Sequence, residues 1–172
     1  DAAGNETRKY PYGNMYAHVV GFSTNGKSGI ESNMNFNLLR SHSFVLERMF
    51  NEIKDEKSMG DNVVTTLDST LQETAYQALG NYDGAVVVME PSTGKVLAMV
   101  SKPDFDPNTI AADWDSIISE DNNNSVLLNR ATQGLYPPGS TFKIITTLEY
   151  IRENPDYENY SYSCNGSITE ND

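Results

Sequence analysis

The 172-residue chain holds a single cysteine, Cys164, so no disulfide can close within it, and cysteine usage decides neither for nor against secretion. Histidine is almost as scarce. His18 and His42 fall in no H-E-x-x-H pattern, and a second cysteine for a zinc pair is missing, so neither a metal site nor a cofactor is expected. Long apolar runs are also lacking: the longest, 85–89 and 96–100, fall far short of the roughly 20 residues that span a bilayer. No signal peptide or anchor is visible, and the polar stretch 1–9, without an initiating Met, reads as an engineered or processing boundary. Basic residues are few as well. Twelve Lys and Arg against 24 Asp and Glu give a net charge of -12, which opposes binding to nucleic-acid phosphates and attraction to anionic lipid, and leaves room for a small polar or cationic partner. Four N-x-S/T triplets, at Asn5, Asn123, Asn159 and Asn165, read as coincidence in so Asn-rich a chain.

What is present suffices for one ordinary globular domain, or a small domain and part of another, with 38% hydrophobic residues. Residues 10–37, rich in Gly, Asn, Ser and Tyr, read as irregular strands and loops with a β-prone piece at 17–22. Phe44, Val45, Met49, Phe50 and Ile53 recur at helical spacing and predict a helix over 38–57 that Gly60 ends. A short strand at 62–66 leads to Asp68, a good N-cap for a helix over 69–79 stopped by Gly80. The clearest local signal follows: two apolar segments, 84–90 and 95–101, around Pro91-Ser92-Thr93-Gly94, a turn suited to antiparallel strands. Both are apolar on successive residues, which predicts a sheet covered by helices on both faces. Residues 102–124 read as surface loop with a short helix at 113–118. From Ser140 to Arg152 the stripe Ile144, Ile145, Leu148 and Ile151 predicts another helix, confined between Pro137-Pro138 and Pro155. No internal repeat is visible.

Ser140 and Lys143, three apart at that helix start, have Cβ atoms about 5–6 Å apart on one face. A serine hydroxyl is a poor nucleophile until a base takes its proton, and a lysine shielded from water can be that base. The helix N-terminus adds partial positive charge, and the Ser140 backbone N–H is placed to donate to an oxyanion. The S-x-x-K spacing taken alone equally fits a serine N-cap followed by a solvated lysine.

Context decides between these readings. Leu128-Asn129-Arg130-Ala131 followed by Tyr136-Pro137-Pro138-Gly139-Ser140-Thr141-Phe142-Lys143 closely resembles the active-site serine segment of class B penicillin-binding proteins. Tyr10-Pro11-Tyr12-Gly13, Ala17-His18-Val19-Val20-Gly21 and Ser28-Gly29-Ile30-Glu31 resemble the end of that family's N-terminal pedestal. Val64-Thr65-Thr66-Leu67-Asp68 with Leu71-Gln72 resembles the start of its transpeptidase domain. The hairpin and Asp104-Phe105-Asp106-Pro107-Asn108 follow in the family's order.

The resemblance implies an α+β chain: an incomplete penicillin-recognising serine transpeptidase fold after a small irregular β/α pedestal segment, divided at 1–60 and 61–172. It implies Ser140 as nucleophile, Lys143 as proton acceptor in acylation and the Ser140 N–H as half of the oxyanion hole. The implied partners are peptidoglycan stem peptides and β-lactam antibiotics, together with cell-division or elongation proteins, at the extracytoplasmic face of a bacterial membrane reached through an anchor outside this chain. The family also needs S-x-N and K-[ST]-G motifs after the serine. Ser163-Cys164-Asn165 and Lys27-Ser28-Gly29 fit by letters, yet the first lies close behind the helix and the second precedes the nucleophile. Both read as accidents, so the chain by itself is expected to be inactive and poorly acylated. Alternatives within the same fold are a β-lactam sensor, a non-catalytic cell-wall scaffold and a β-lactamase. Lys95, Lys102 and Arg130 are expected to be solvated or structural rather than substrate ligands.

Overall fold

In the computed structural model, which describes residues 8–40, 53, 60–119 and 125–166, the N-terminal segment winds into short helical turns. A 3-10 turn, Gly13–Tyr16, runs into α1 (Ala17–Val20), and α2 (Gly29–Asn33) is followed directly by α3 (Asn35–Leu39). The irregular strands expected over 10–37 are corrected here. Val19 and Val20 favour extended backbone, but Ala17 and His18 are drawn into a core with Phe22, Phe105 and Ile110, and this packing overrides the local preference. The loop after α1 closes back on it through two glycines. A Cβ on Gly21 would stand 2.0 Å from the Ser28 carbonyl oxygen and one on Gly29 2.5 Å from that of Val19, and both residues have positive φ, 82° and 55°. The helix expected over 38–57 does not run on from α3, which ends where Arg40 turns extended. Ile53 is helical, and the rest of that expectation lies outside the described residues.

The short strand expected at 62–66 is corrected: residues 61–67 take no regular structure and reach β2 through single bonds only, Thr66 Oγ1 donating to the Val96 carbonyl at 2.6 Å and the Asp68 N–H to that of Leu97 at 2.8 Å. Asp68 then caps α4 (Ser69–Leu79), its Oδ1 accepting from the Leu71 N–H at 2.9 Å, and Gly80 closes the helix as expected. The hairpin forms as read: β1 (Gly84–Met89) pairs antiparallel with β2 (Val96–Lys102), Val86 opposite Val100 and Val88 opposite Ala98. Ala75 of α4 packs on Ala98 and Val100, with Tyr76, Leu79, Val86 and Val88 around them. Along β1 the cover is uneven. Its residues alternate between half-buried and exposed, with Val87 43% and Met89 53% exposed, the half-buried Val86 and Val88 lying in the cluster with Ala75 of α4. The short helix expected at 113–118 begins earlier, as α5 (Ile110–Ile117), where Ile110 enters the core beside Phe22 and Phe105. Trp114 meets the edge of Phe22 at 5.9 Å. The last helix of this region is α6 (Arg130–Gln133).

Chain segments 8–22 and 60–134 belong to one compact unit, Asp1–Gly134; the second, Leu135–Asp172, is built separately around the serine segment. Within the first unit, side-chain amides hold backbone to backbone. Gln72 is fully buried; its Nε2 donates to the carbonyls of Met15 (2.8 Å) and Met99 (2.9 Å), and its Oε1 accepts from the Met99 N–H (2.9 Å). Asn108 treats Tyr10 in the same way, accepting from its N–H at 2.9 Å and donating to its carbonyl at 3.0 Å. Asn14 and the Tyr76 hydroxyl donate to the two carboxylate oxygens of Asp104 at 2.9 and 2.8 Å, and burial followed by that carboxylate pushes the Tyr76 pKa up to about 12. Arg8 pairs with the buried Glu31 at 2.5 Å.

Two outcomes follow from these joints. Gln72→Ala strands the Met99 N–H and the Met15 and Met99 carbonyls in a dry site at about 1–3 kcal/mol for each group left unpaired, so a total loss of about 3 kcal/mol or more is expected in urea unfolding. A loss below about 1 kcal/mol would show the amide to be dispensable. His18 is 8% exposed, its Nε2 donates to the Pro103 carbonyl at 3.1 Å and its ring meets the edge of Phe105 at 5.2 Å. Burial lowers its pKa from the ordinary 6.5; Arg130 pushes the same way, while the Pro103 carbonyl and Asp104 oppose. The unfolded chain therefore takes the proton more readily, and stability is lost as pH falls below about 6.5, down to the folded-state value. Unfolding midpoints taken at several pH values between about 7.5 and 5.5 should fall more for the wild type than for His18→Gln; parallel curves would remove His18 from that dependence.

Candidate active site

Pro137 and Pro138 keep the chain out of a helix until Gly139, which takes positive φ (52°) and opens a 3-10 turn, Gly139–Phe142. The Thr141 N–H donates to the Pro138 carbonyl at 3.1 Å, and its hydroxyl donates to the same oxygen. Lys143 then opens α7 (Lys143–Glu153), with its own N–H donating to the Ser140 carbonyl. The helix expected from Ser140 therefore starts as a tighter turn and becomes α-helical three residues later. This keeps the spacing useful, because residues i and i+3 of a 3-10 turn stand one above the other, so positions 140 and 143 share one side of the backbone. As the second residue of the turn, Ser140 has the kind of N–H that a helix start leaves without an intrahelical partner.

Both side chains are exposed. So is the stripe beside them: Ile144 is 64%, Ile145 55% and Leu148 58% exposed, and Ile151 is half-buried. Lys143, Ile144, Thr147 and Leu148 border a shallow hollow of about 320 Å³. A larger hollow, about 690 Å³, lies in the other unit between Arg8, Lys27, Glu31 and Asp61, among residues that sequence reasoning did not connect with catalysis. Among the described residues no cluster of three His, Cys, Asp or Glu could hold a metal ion.

The two letter-matches to the missing motifs have other settings. Lys27, Ser28 and Gly29 sit at the start of α2, where the Lys27 amine donates to Asn35; they form no strand. Ser163-Cys164-Asn165 is exposed coil. Lys102 is structural, donating to the Gly80 carbonyl at 2.5 Å and lying 3.9 Å from the Tyr76 ring centre. Arg130 Nη1 donates to the Ser125 carbonyl at 3.3 Å. The sequence named Ser101 and Asn129 only as parts of longer segments and gave neither side chain a role. The buried Ser101 hydroxyl donates to the Leu128 carbonyl at 3.2 Å and accepts from the Arg130 N–H at 2.9 Å, gripping the stretch that precedes the serine segment. A serine inside an apolar strand was the available signal.

Comparison with known proteins bears on the family and the fold. Residues 84–172 match the model of the penicillin-binding protein transpeptidase domain, and residues 2–63 that of the penicillin-binding protein A dimerisation domain. The chain is 41% identical over 162 residues to the peptidoglycan D,D-transpeptidase PbpA of Mycolicibacterium smegmatis, covering 81% of this chain and 31% of that protein. It is 34% identical over 173 residues to the peptidoglycan D,D-transpeptidase MrdA of Acinetobacter baumannii, covering 80% of this chain and 25% of that one. Among solved structures, penicillin-binding protein A from M. tuberculosis, as its imipenem acyl-enzyme, superposes with a TM-score of 0.74 at 36% identity over 85% of this chain and 37% of its own. The chain thus spans about a third or less of these curated relatives, and its mixed helices and antiparallel hairpin are part of the fold that they carry. With the serine segment inside the matched region and the fold shared along most of its length, the chain belongs to the penicillin-binding protein transpeptidase family.

Proposed function

We propose that this chain is the nucleophile-bearing part of a peptidoglycan D,D-transpeptidase, with Ser140 as nucleophile and Lys143 as its base. What supports the reading is the tight turn that brings residues 140 and 143 into adjacent helical positions three apart, within a family-matched segment. Ser140 Oγ attacks the carbonyl of the penultimate D-alanine of a stem peptide while Lys143 Nζ takes the hydroxyl proton. The Ser140 N–H supports the oxyanion of the tetrahedral intermediate. The terminal D-alanine leaves as an amine, recovering that proton, and an ester remains on Ser140. An amine from a neighbouring strand then attacks the ester, forming the crosslink and freeing the hydroxyl. A β-lactam acylates the same oxygen by ring opening; M. tuberculosis penicillin-binding protein A forms such acyl-enzymes with imipenem, ceftriaxone and penicillin G.

The geometry also says what the reaction still requires. An exposed lysine stays solvated, and a base of suitable strength needs water removed from around it. We assign that shielding, the S-x-N and K-[ST]-G groups and the cover over Ile144, Ile145 and Leu148 to residues other than those described, at the extracytoplasmic face of the membrane. Among the described residues no helix is long and apolar enough to cross a bilayer.

The complete protein incubated with penicillin G should gain the mass of one adduct, located on Ser140, and Ser140→Ala should gain none. Lys143→Met should slow adduct formation by about 100-fold or more, the scale of a lost general base. The 172-residue chain alone should remain unmodified. An adduct that persists in Ser140→Ala would overturn the nucleophile, and a Lys143→Met protein that reacts at the wild-type rate would overturn the base.

A further inference from the structure

The loop that joins α1 to α2 carries an asparagine followed by a glycine, Asn25-Gly26. Both take positive φ, 54° and 113°, a region that these two residue types enter at the least steric cost. The ends of the loop are held. The Ser28 N–H donates to the Phe22 carbonyl at 3.2 Å, the Ser23 hydroxyl stands 3.3 Å from that of Tyr10, and Gly21 and Gly29 press against Ser28 and Val19. Its tip is open: residues 24–27 are exposed, and a Cβ on Gly26 would meet nothing within 4 Å. Among the described residues neither the Asn25 carboxamide nor the Gly26 N–H has a hydrogen-bond partner. Asparagines deeper in this unit are committed. Asn14 donates to Asp104 at 2.9 Å, Asn108 bonds Tyr10 through both ends of its amide, and Asn129 accepts from the Ala131 N–H at 3.1 Å and donates to the His18 carbonyl at 3.3 Å. None of these three precedes a glycine.

We infer that Asn25 is a site of spontaneous covalent modification, deamidating through a cyclic imide to isoaspartate and aspartate while the protein stays folded. The Gly26 nitrogen, giving its proton to hydroxide, attacks Asn25 Cγ; glycine has no side chain to shield it. The new C–N bond closes a succinimide ring, and the carboxamide nitrogen leaves as ammonia, taking a proton from water. Water then opens the ring. Cleavage between the Gly26 nitrogen and the Asn25 main-chain carbonyl carbon leaves isoaspartate, with the chain routed through Cβ and Cγ, and cleavage at Cγ leaves aspartate. Nothing is oxidised or reduced, and water is the only co-reactant. Either product adds a negative charge, and isoaspartate lengthens the backbone by one atom. The tip can absorb that atom because nothing packs on Gly26, while the bonds at Phe22 and Ser28 keep the change away from the core. The inference is independent of the role of Ser140.

The complete protein is aged folded at two mildly alkaline pH values and, in parallel, unfolded in urea. Deamidation is then located residue by residue by peptide fragmentation, and isoaspartate is counted by enzymatic methylation of its free carboxyl. In the folded protein Asn25 should gain the mass that exchanges an amide for an acid, at a rate rising about tenfold per pH unit because one proton must leave the attacking nitrogen. Asn14, Asn108 and Asn129 should gain it only in urea. Asn25→Gly, which tolerates positive φ and lacks the carboxamide, should form no isoaspartate in this loop. The modified fraction, separated by its added charge, should unfold at the same urea midpoint as fresh protein. If Asn25 reacts in urea and stays intact in the folded protein, the loop protects it and the inference falls. It falls equally if Asn14, Asn108 or Asn129 reacts as fast as Asn25 in the folded protein, since freedom from partners then decides nothing. A lowered midpoint for the modified fraction would overturn the claim that the fold tolerates the product.

Discussion

Much of the first unit depends on side-chain amides that satisfy main-chain groups which no helix or ladder reaches. Segment 8–22 contributes short turns and no strand, and its carbonyls at Met15 and His18 and the Tyr10 N–H take partners from far along the chain. Gln72, Asn108 and Asn129 provide them. A carboxamide carries a donor and an acceptor about as far apart as those of a peptide unit, so it can stand in for a missing strand. An isosteric carboxylate would offer acceptors alone, and against a carbonyl it would repel. The buried Gln72 shows how much depends on this, since three backbone groups lose their partners together if it goes.

The same dependence explains which parts of the fold were legible in the sequence. Asp68, the helix to Leu79, Gly80 and the hairpin were readable because each is decided within about ten residues: a cap oxygen three positions from its donor, an apolar run, a turn. Segment 10–37 misled because Val19 and Val20 carry a local signal for strand, whereas Ala17 and His18 answer to Phe105 and Ile110, far along the chain. The partners of Gln72, Asn108 and Asn129 lie 27 to 111 positions away, and a single sequence gives no means of pairing them. What it did show was the set of motifs, whose glycines gain a physical meaning only once Gly21 and Gly29 are seen pressed against Ser28 and Val19.

The serine segment was legible for a different reason. Two prolines, a glycine and a three-residue spacing leave few backbone solutions, and the one adopted, a 3-10 turn passing into α7, keeps Ser140 and Lys143 on one side even though the helix boundary shifts. Environment was not encoded so locally. The stripe Ile144, Ile145 and Leu148 has the periodicity of a buried face and yet stands in water, as does the outer face of β1 at Val87 and Met89. An amphipathic helix draws most of its stability from covering such a face, so α7 carries the pattern of a core helix while its stripe stays exposed among the described residues. The lysine stands at the head of that stripe. Anything that covered Ile144 and Leu148 would also exclude water beside Lys143, so packing and local solvation are coupled at this position.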